Sequence, residues 1–147
     1  MAGVIDCELG EGVRIIDPVN IYGAVLHSGV FVGPFCEIQN DVSIGANTRV
    51  QSHTFICSMV SIGEDCFIGH GVMFTNDLLQ NGPARGDKSK WLPTTVGNRV
   101  SIGSNATILP ISICDNVVIG AGSVVTKHIT KPGVYAGNPA RLIRDAS

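Results

Sequence analysis

Aliphatic residues recur every six positions through most of this chain. The first run comprises Leu26, Val32, Ile38, Ile44, Val50, Ile56, Ile62, Ile68 and Phe74; the second comprises Val96, Ile102, Ile108, Ile113 and Ile119, with one residue dropped before Ile113. A second small or branched residue stands four positions after most of them. At the last repeat we expect Val124, five positions on, to take this second position. Neither an α-helix nor a simple β-strand has this period. The repeated hexad predicts an all-β fold, a parallel β-helix of short strands joined by tight turns.

Residue types suited to tight corners occupy fixed places in each repeat. Glycine often follows the aliphatic residue directly, as at Gly45 and Gly103. Residues that tolerate a left-handed backbone come three positions after the aliphatic residue: Asp41, Asn47, His53, Asp65, Gly71, Asn105, Asn116 and Gly122. Three hexads make one triangular coil, so about four to five coils fit outside the interruption, stacked at roughly 4.8 Å. The period does not fix the hand of the coil.

The places where the repeat begins, is interrupted and ends predict one domain over residues 1–147 with an inserted loop and a cap. Residues 1–12 are expected to form a weakly ordered lead-in or a first partial coil. The six-residue rhythm fails at about 75–95, and a long interruption of this kind is usually functional or disordered. We expect the solenoid to end near Val125. Residues at about 126–147 contain Lys-Pro-Gly and Asn-Pro-Ala-Arg, and we expect them to cap the open end.

Composition excludes several classes of function. Ten basic residues against twelve acidic ones give no support to nucleic-acid or membrane-surface binding. No stretch is apolar for long enough to span a bilayer, and the first residues lack the features of a signal peptide. The five cysteines are an odd number without a Cys-x-x-Cys spacing, so we expect buried or half-buried thiols in a reducing cytoplasm.

The C-terminal third carries a specific resemblance. Val-Gly-Asn-Arg-Val-Ser-Ile-Gly-Ser-Asn-Ala-Thr-Ile-Leu-Pro, Val-Ile-Gly-Ala-Gly-Ser-Val-Val-Thr-Lys and Ala-Gly-Asn-Pro-Ala-Arg resemble the acyl-CoA-binding half of bacterial hexapeptide-repeat acetyltransferases. The resemblance implies a left-handed β-helix, a homotrimer, and an acetyl-CoA site between adjacent prisms. It also implies six contacts to that ligand: Ser104 and Ala121 along the pantetheine arm, Thr126 and Lys127 further along, and Arg141 and Arg144 near the nucleotide phosphates, where fixed cations bind well.

The acceptor end departs from the sugar O-acetyltransferases of this group, which keep a histidine as general base. The corresponding stretch here is Gly-Val-Met-Phe-Thr-Asn-Asp, and the position is Asn76. A sugar hydroxyl needs a base, whereas an amine with a pKa of about 8 is already partly neutral at pH 7. Asn76 therefore predicts an amino acceptor that it orients, with Asp77 and His70 as candidate partners.

A narrower resemblance concerns the substrate. Ile-Gly-His-Gly-Val-Met-Phe followed by Asn-Asp resembles the nucleotide-sugar N-acetyltransferases that acetylate 3-amino, sometimes 4-amino, sugars for lipopolysaccharide O-antigens or related glycans. It implies an acceptor linked to UDP or dTDP. In the loop, Arg85, Lys88 and Lys90 are candidates for the diphosphate and Trp91 for a ring; a solvated loop with one anchoring tryptophan explains the same residues.

Three other functions remain open from the sequence. A sugar O-acetyltransferase would use His70 or His53 as its base, although His53 also fits a corner position. A non-catalytic β-helix scaffold would bind no acetyl-CoA. A zinc enzyme of the γ-carbonic anhydrase type shares the solenoid but needs three histidines, two of them closely spaced; that spacing is missing here, so we expect no metal.

Overall fold

The computed structural model describes residues 3–146, which form a left-handed parallel β-helix. Each coil contributes one short strand to each of three sheets, here called A, B and C, except that the last coil joins sheet B only through a bridge from Ile129 to Ile113. All neighbouring strands pair in parallel, except the final pair in sheet C, which is antiparallel. The hexad repeat therefore predicted the fold class correctly.

The strands are numbered in chain order and belong to the three sheets as follows. Sheet A contains β1 (Val4–Ile5), β4 (Asn20–Tyr22), β7 (Glu37–Ile38), β10 (Phe55–Ile56), β13 (Met73–Phe74), β16 (Thr107–Ile108) and β19 (Val124–Val125). Sheet B contains β2 (Glu8–Leu9), β5 (Val25–Leu26), β8 (Ser43–Ile44), β11 (Val60–Ile62), β14 (Thr94–Val96) and β17 (Ser112–Ile113). Sheet C contains β3 (Arg14–Ile15), β6 (Phe31–Val32), β9 (Arg49–Val50), β12 (Phe67–Ile68), β15 (Ser101–Ile102), β18 (Val117–Ile119), β20 (Gly133–Gly137) and β21 (Ala140–Asp145).

The six-residue aliphatic series forms the core. Equivalent residues of successive coils are in register, as in the pairing of Ile38 with Ile56. Every member of the series is at most 2% exposed. Because apolar burial contributes roughly 25 cal/mol per Å², this stack of side chains is the main stabilising feature of the prism.

The second inward position tolerates a hydroxyl because the backbone of the next coil accepts its hydrogen bond. Thr48 Oγ1 donates to Gly63 O at 2.8 Å, and Thr54 Oγ1 donates to Gly69 O at 2.9 Å. In the last repeat our prediction of Val124 was wrong: Ser123 is buried in that place, and Val124 is only half-buried on the outer side. Side chains alternate along a strand, so Val125 keeps the six-residue place.

The corner prediction is confirmed at all eight positions, where φ lies between 56° and 71°. Phe35, Met59 and Arg99 also adopt left-handed conformations, with φ of 64°, 72° and 54°. Their side chains do not favour this region, so the sequence did not indicate them. Gly103 has a different cause: a Cβ there would lie 2.5 Å from Ala121 N of the next coil.

The solenoid is longer than predicted, with about seven coils instead of four to five. Strands β1 and β2 belong to a regular first coil, in the segment where a weakly ordered lead-in or partial coil was expected; residues 1 and 2 lie outside the described residues. At the other end, Ile129 bridges Ile113 and β20 pairs in parallel with β18. The coil thus continues past Val125, and Gly133, which was expected to lie in a stop, is the first residue of β20, paired with Val117. Only β21 turns back to cover the edge of β20.

The interruption is a surface loop between β13 and β14. Its base is closed by a hydrogen bond from Leu92 N to Asn76 O at 2.8 Å. It contains the one helix of the described chain, a 3-10 turn at Lys88–Lys90. Within residues 3–146, therefore, no helix has the length and apolarity needed to cross a membrane.

All five cysteines are free, and three of them, Cys36, Cys57 and Cys66, are buried. Burial raises the pKa of the Cys57 thiol to about 11. Burial also raises the pKa values of Cys36 and Cys66. These thiols are therefore neutral at physiological pH and behave as small core residues, as the sequence predicted.

Candidate functional site

The corner where each sheet C strand leads into a sheet A strand, here called the C-to-A corner, carries several predicted site residues. From the N-terminal coils onward this edge contains Phe35, His53, His70, Ser104 and Ala121. Backbone hydrogen bonds join successive corners, from Asn105 N to His70 O at 2.9 Å and from Gly122 N to Ser104 O at 2.8 Å. His70, Ser104 and Ala121 therefore lie in one row, about 4.8 Å apart per coil.

The A-to-B corner, where sheet A strands lead into sheet B, carries the remaining acceptor residues. It contains Asn76, Asp77 and the inserted loop, and two coils later Thr126 and Lys127. His70 and Asn76 stand at opposite ends of β13. Within one chain, the predicted catalytic residues therefore lie on two different edges, one on each side of the outer face of sheet A.

Asn76 is fixed by its surroundings. Its Nδ2 donates to Ser58 O at 3.0 Å, and its backbone oxygen accepts from Leu92 N. Ser58 is held in turn, because its Oγ donates to Asn40 Oδ1 at 2.9 Å and its N–H donates to Gln39 Oε1 at 3.1 Å. With Nδ2 engaged, Asn76 Oδ1 remains available to accept a hydrogen bond. A half-buried amide held in this way can orient a ligand N–H, but it cannot take a proton as a base.

Asp77 has a structural role within the loop. Its Oδ1 accepts from Leu79 N at 2.8 Å, the turn bond that an Asn-Asp pair often forms. Asp77 also lines a small cavity of about 100 Å³ within the loop, together with Arg85 and Lys90. Of the other predicted loop residues, Lys88 is exposed and Trp91 is half-buried, and neither lines this cavity.

Asp87 is the N-cap of the 3-10 turn in the loop. Its Oδ1 accepts hydrogen bonds from the hydroxyl and the backbone N–H of Ser89, at 2.7 and 3.0 Å. These bonds lower the pKa of Asp87. The carboxylate therefore stays charged inside a loop that otherwise carries three basic residues.

The two histidines considered as bases differ in their contacts. His70 and His53 are both exposed, and the ring of His53 stacks on Phe35 with centroids 5.0 Å apart. Among residues 3–146 no carboxylate forms an ion pair with either ring. Nor does that part of the chain gather three or more His, Cys, Asp and Glu side chains in a way that could hold a metal ion.

A cavity of about 200 Å³ at the C-terminal end combines three of the six predicted cofactor residues. Thr126 and Lys127 line it from the A-to-B corner, and Arg141 lines it from β21. Ser104 and Ala121 lie on the other edge, and Arg144 is exposed on β21 opposite Val134. Two cations beside one cavity suit an anionic group such as a phosphate.

His128 is a lining residue of this cavity that the sequence did not single out. Its Nδ1 accepts from Ser112 N at 3.0 Å, so Nε2 carries the proton of the neutral ring and is a free donor. The only signal in the sequence was its position directly after Thr126-Lys127.

A larger open groove of about 420 Å³ runs over sheet B and contains none of the predicted residues. Its outward side chains include Val25, Ser43, Ser61 and Thr95, with Asp41 at one side. This lining offers no cation for a phosphate, and its one ionisable side chain is the carboxylate of Asp41. We therefore place the candidate site at the two corners and not in this groove.

Comparison with known families agrees with the repeat. The model described as "Bacterial transferase hexapeptide (six repeats)" matches residues 23–58, and "Hexapeptide repeat of succinyl-transferase" matches residues 59–73 and 93–127. Together they cover more than half of the chain, and the unmatched gap coincides with the inserted loop. The protein belongs to the hexapeptide-repeat transferases.

Two curated relatives illustrate the range of the family. The chain is 40% identical over 146 residues to a galactoside O-acetyltransferase of Escherichia coli (strain K12), an alignment that covers 93% of this chain and 63% of the relative. It is 34% identical over 125 residues to a bifunctional protein GlmU of Rubrobacter xylanophilus, which covers 84% of this chain and 24% of that protein. The chain thus spans less than two thirds of either relative.

Solved structures share the fold at low sequence identity. A hexapeptide transferase family protein from Anaplasma phagocytophilum has a TM-score of 0.80 at 18% identity, covering 98% of this chain and 83% of that one. A point mutant of AntD, an N-acyltransferase from Bacillus cereus in complex with dTDP and coenzyme A, has 0.74 at 20%, covering 98% and 82%. A point mutant of perosamine N-acetyltransferase from Caulobacter crescentus, with CoA and GDP-perosamine, has 0.61 at 20%, covering 95% and 54%.

Proposed function

We propose that this protein transfers an acetyl group from acetyl-CoA to the amino group of a nucleotide-linked amino-deoxy sugar. The acceptor is a 3-amino, or else a 4-amino, sugar carried by UDP or dTDP, and the product serves cytoplasmic synthesis of lipopolysaccharide O-antigen or a related glycan. The observation that carries the proposal is Asn76, an amide anchored on Ser58 O at the position where hydroxyl acetylation needs a base.

The chemistry of an amine fits this arrangement. Asn76 Oδ1 accepts one N–H of the neutral amine and so directs the nitrogen lone pair at the thioester carbonyl. The new C–N bond forms, the C–S bond breaks, and the proton of the resulting ammonium passes to the departing CoA thiolate through water. Asp77 and His70 are candidate partners of the acceptor. Positioning supplies most of the acceleration in such a mechanism.

The acetyl-CoA site uses both edges. Ser104 and Ala121 on the C-to-A corner face the pantetheine arm, and Thr126 and Lys127 bind further along, with Arg141 and Arg144 at the nucleotide phosphates. Because the edges lie on opposite sides of sheet A, the site is completed when a second copy brings its A-to-B corner to the first copy's C-to-A corner. In a closed ring of three identical chains, the C-to-A corner of every copy meets the A-to-B corner of a neighbour.

The loop is proposed to bind the acceptor. Arg85 and Lys90 already share a cavity with Asp77, and with Lys88 they provide cations for a diphosphate. Trp91 is half-buried at the base of the loop, and its proposed role is to pack on a sugar ring. The similar structures of AntD and perosamine N-acetyltransferase hold a nucleotide or nucleotide sugar together with CoA, the same two kinds of ligand.

A second candidate is O-acetylation of a sugar, with His70 or His53 as the base. The 40% identical galactoside O-acetyltransferase favours it. It predicts that replacing one histidine abolishes activity, whereas direct attack by an amine predicts a loss of less than about tenfold. A non-catalytic scaffold, the third candidate, predicts no binding of acetyl-CoA.

The deciding experiment is a thiol-release assay with acetyl-CoA. The acceptors are UDP- and dTDP-linked 3-amino and 4-amino sugars and the matching hydroxyl sugars, and His70→Asn and Asn76→Ala are assayed in parallel. We expect turnover confined to an amino sugar, a mild effect of His70→Asn, and a larger fall in kcat/KM for Asn76→Ala. Turnover on hydroxyl sugars alone would establish O-acetylation instead.

The cofactor placement has its own test. We expect Lys127→Ala combined with Arg141→Ala to weaken acetyl-CoA binding by at least about tenfold, since charge-assisted hydrogen bonds are worth about 1.5–3 kcal/mol. Lys131→Ala is the matched control, because Lys131 pairs with Asp145 at 2.9 Å and does not line the cavity. Titration calorimetry with acetyl-CoA measures both. Unchanged affinity in the double variant would show the placement to be wrong.

A further inference from the structure

An exposed aromatic pair, Phe35 and His53, lies at the N-terminal end of the C-to-A corner. Phe35 has no role assigned so far, and His53 has only that of a base in the alternative O-acetylation. Phe35 is 56% exposed, and its ring lies 5.0 Å from that of His53 at an interplanar angle of 32°. Both residues have left-handed backbones, with φ of 64° and 65°. For a bulky residue this conformation is strained, and strain of this kind concentrates at functional sites. Phe35 therefore costs stability in its corner without packing in the core.

An open cavity of about 290 Å³ adjoins Phe35 on the sheet A side. Its polar lining consists of Asn20 and Glu37, and Asn20 Nδ2 donates to Glu37 Oε1 at 3.3 Å. Gln39 Nε2 donates to Glu37 Oε2 at 3.0 Å and holds the carboxylate from the other side. Each carboxylate oxygen keeps a free lone pair, and the Asn20 amide keeps a second N–H. An acceptor and a donor thus stand side by side next to an aromatic surface.

The position along the prism matches an acceptor that extends away from the reaction centre. His53 and Phe35 lie one and two coils N-terminal of the His70 corner, about 5 and 10 Å at strand spacing. Ser104 and Ala121 lie on the C-terminal side of it. A ligand bound along this edge toward the N-terminus therefore does not compete with acetyl-CoA. The ribose and diphosphate of a nucleotide sugar join its base to its sugar over a distance of this order.

We infer that this cavity binds the pyrimidine base of the acceptor nucleotide. The base stacks on the Phe35–His53 pair, its imide N3–H donates to the Glu37 carboxylate, and an adjacent ring carbonyl accepts from Asn20 Nδ2. Uracil and thymine share this edge, so UDP and dTDP both fit, whereas cytosine and adenine carry an acceptor nitrogen in place of the ring N–H and an amino group in place of the carbonyl. The inference rests on the proposed function for the identity of the acceptor as a nucleotide sugar.

The test measures binding of free nucleotides by titration calorimetry. UDP and dTDP are compared with CDP, whose ring nitrogen N3 carries no hydrogen, and with N3-methyl-UDP, in which a methyl group replaces the imide hydrogen. We expect UDP or dTDP to bind, and the other two to bind at least about tenfold more weakly. Phe35→Asn removes the ring while supplying a residue that favours the left-handed region, so the variant keeps its fold. It should weaken UDP or dTDP binding at least about tenfold, the scale of a lost base–aromatic stack.

Arg99→Asn is the matched control. It replaces another large side chain with left-handed φ, 54°, at the corner between sheets B and C, away from the cavity, and it should leave nucleotide binding unchanged. Equal binding of CDP, or unchanged affinity in Phe35→Asn, overturns the inference. So does a change of oligomeric state in Phe35→Asn by sedimentation, because Phe35 would then pack against a second copy.

The two proposals fail in different ways. Binding of UDP or dTDP that depends on Phe35, combined with no acetylation of any amino sugar, supports the base site and contradicts the proposed function. Acetylation of a nucleotide amino sugar with the same KM in Phe35→Asn supports the proposed function and contradicts the base site.

Discussion

The buried threonines inside the prism differ in whether the backbone accepts a hydrogen bond from their hydroxyl groups. Thr48 and Thr54 each donate to a backbone oxygen of the next coil. Thr94, at the start of β14, is 1% exposed, and its Oγ1 has no hydrogen-bond partner among the described residues. Its register partner in β11 is Val60. A valine is therefore the side chain that this place accommodates, and an unpaired buried hydroxyl costs stability.

We expect Thr94→Val to raise the free energy of unfolding by about 1 kcal/mol, because it removes an unsatisfied polar group without changing the shape of the side chain. Thr54→Val is the matched control. It leaves Gly69 O without its bond from Thr54 Oγ1 and should lower the free energy of unfolding by about 1 kcal/mol. Thermal unfolding measures the change in stability of both variants. A destabilised Thr94→Val would mean that the hydroxyl has a hydrogen-bond partner.

The thiol of Cys57 gives the fold a dependence on alkaline pH. Below pH 9 it is protonated in both the folded and the unfolded chain. Between pH 9 and 11 the unfolded chain loses this proton while the folded chain keeps it, because burial raises the pKa to about 11. The free energy of unfolding should therefore fall by up to about 3 kcal/mol across this range. Denaturant unfolding at both ends should show a smaller fall for Cys57→Ala; an equal fall would contradict the effect of burial.

Among the elements, the inserted loop is attached to the solenoid at a narrow base. The bond from Leu92 N to Asn76 O and the anchor of Asn76 on Ser58 O join its two ends to the coil. Residues 78–90 are all exposed, so they add little to the core. The strands on either side of the loop, β13 and β14, keep the positions in the β-helix that they would have if a single corner joined them.

Replacing residues 79–90 with two glycines should change the melting temperature by only a few degrees. If the loop binds the acceptor as proposed, the same variant should lose turnover of the amino sugar while it keeps acetyl-CoA affinity. Thermal unfolding, calorimetry and the thiol-release assay measure the three effects. A large fall in melting temperature would show that the loop supports the fold, and unaltered turnover would exclude it from the acceptor site.

Corners are the elements where sequence and structure can be compared most directly. At eight positions Asn, Asp, Gly or His indicated the left-handed backbone, and the structure has it at each. At Phe35 and Arg99 the same conformation is imposed by the coils above and below, against the preference of the side chain. Local preference therefore predicts corners only where the residue agrees with its neighbours.

At the scale of the whole molecule, the outer face of sheet A is polar in its early coils, with Asn20 and Glu37, and apolar at β10 and β13, with Phe55 and Met73. Met73 is 40% exposed on this face, between the two edges that carry the predicted site residues. In the proposed trimer this apolar part of the face is covered by other copies, since each edge must meet the opposite edge of a neighbour. Burying an exposed apolar face is the usual source of stability in such assemblies.

We expect Met73→Glu to dissociate the trimer, because a carboxylate in a buried interface costs several kcal/mol. Acetyl-CoA affinity should fall with it. Phe67→Glu is the control: Phe67 is also 40% exposed but lies on sheet C. Sedimentation equilibrium distinguishes the two variants. An intact Met73→Glu trimer, or dissociation by Phe67→Glu alone, would move the interface away from sheet A.

The sequence by itself determined the period of the coil, and with it the core, most corners and the location of the loop. Each of these depends on contacts six or about eighteen residues apart, which the hexad repeats along the chain. Tertiary structure alone decided the number of coils, because the first and last coils lack the regular hexad and are held by pairing with their neighbours. It also decided the separation of His70 from Asn76 and the cavity beside Phe35. Neighbours in sequence pass to different edges of a prism, while residues a coil apart stack, and only the path of the chain in space determines which side chains share an edge.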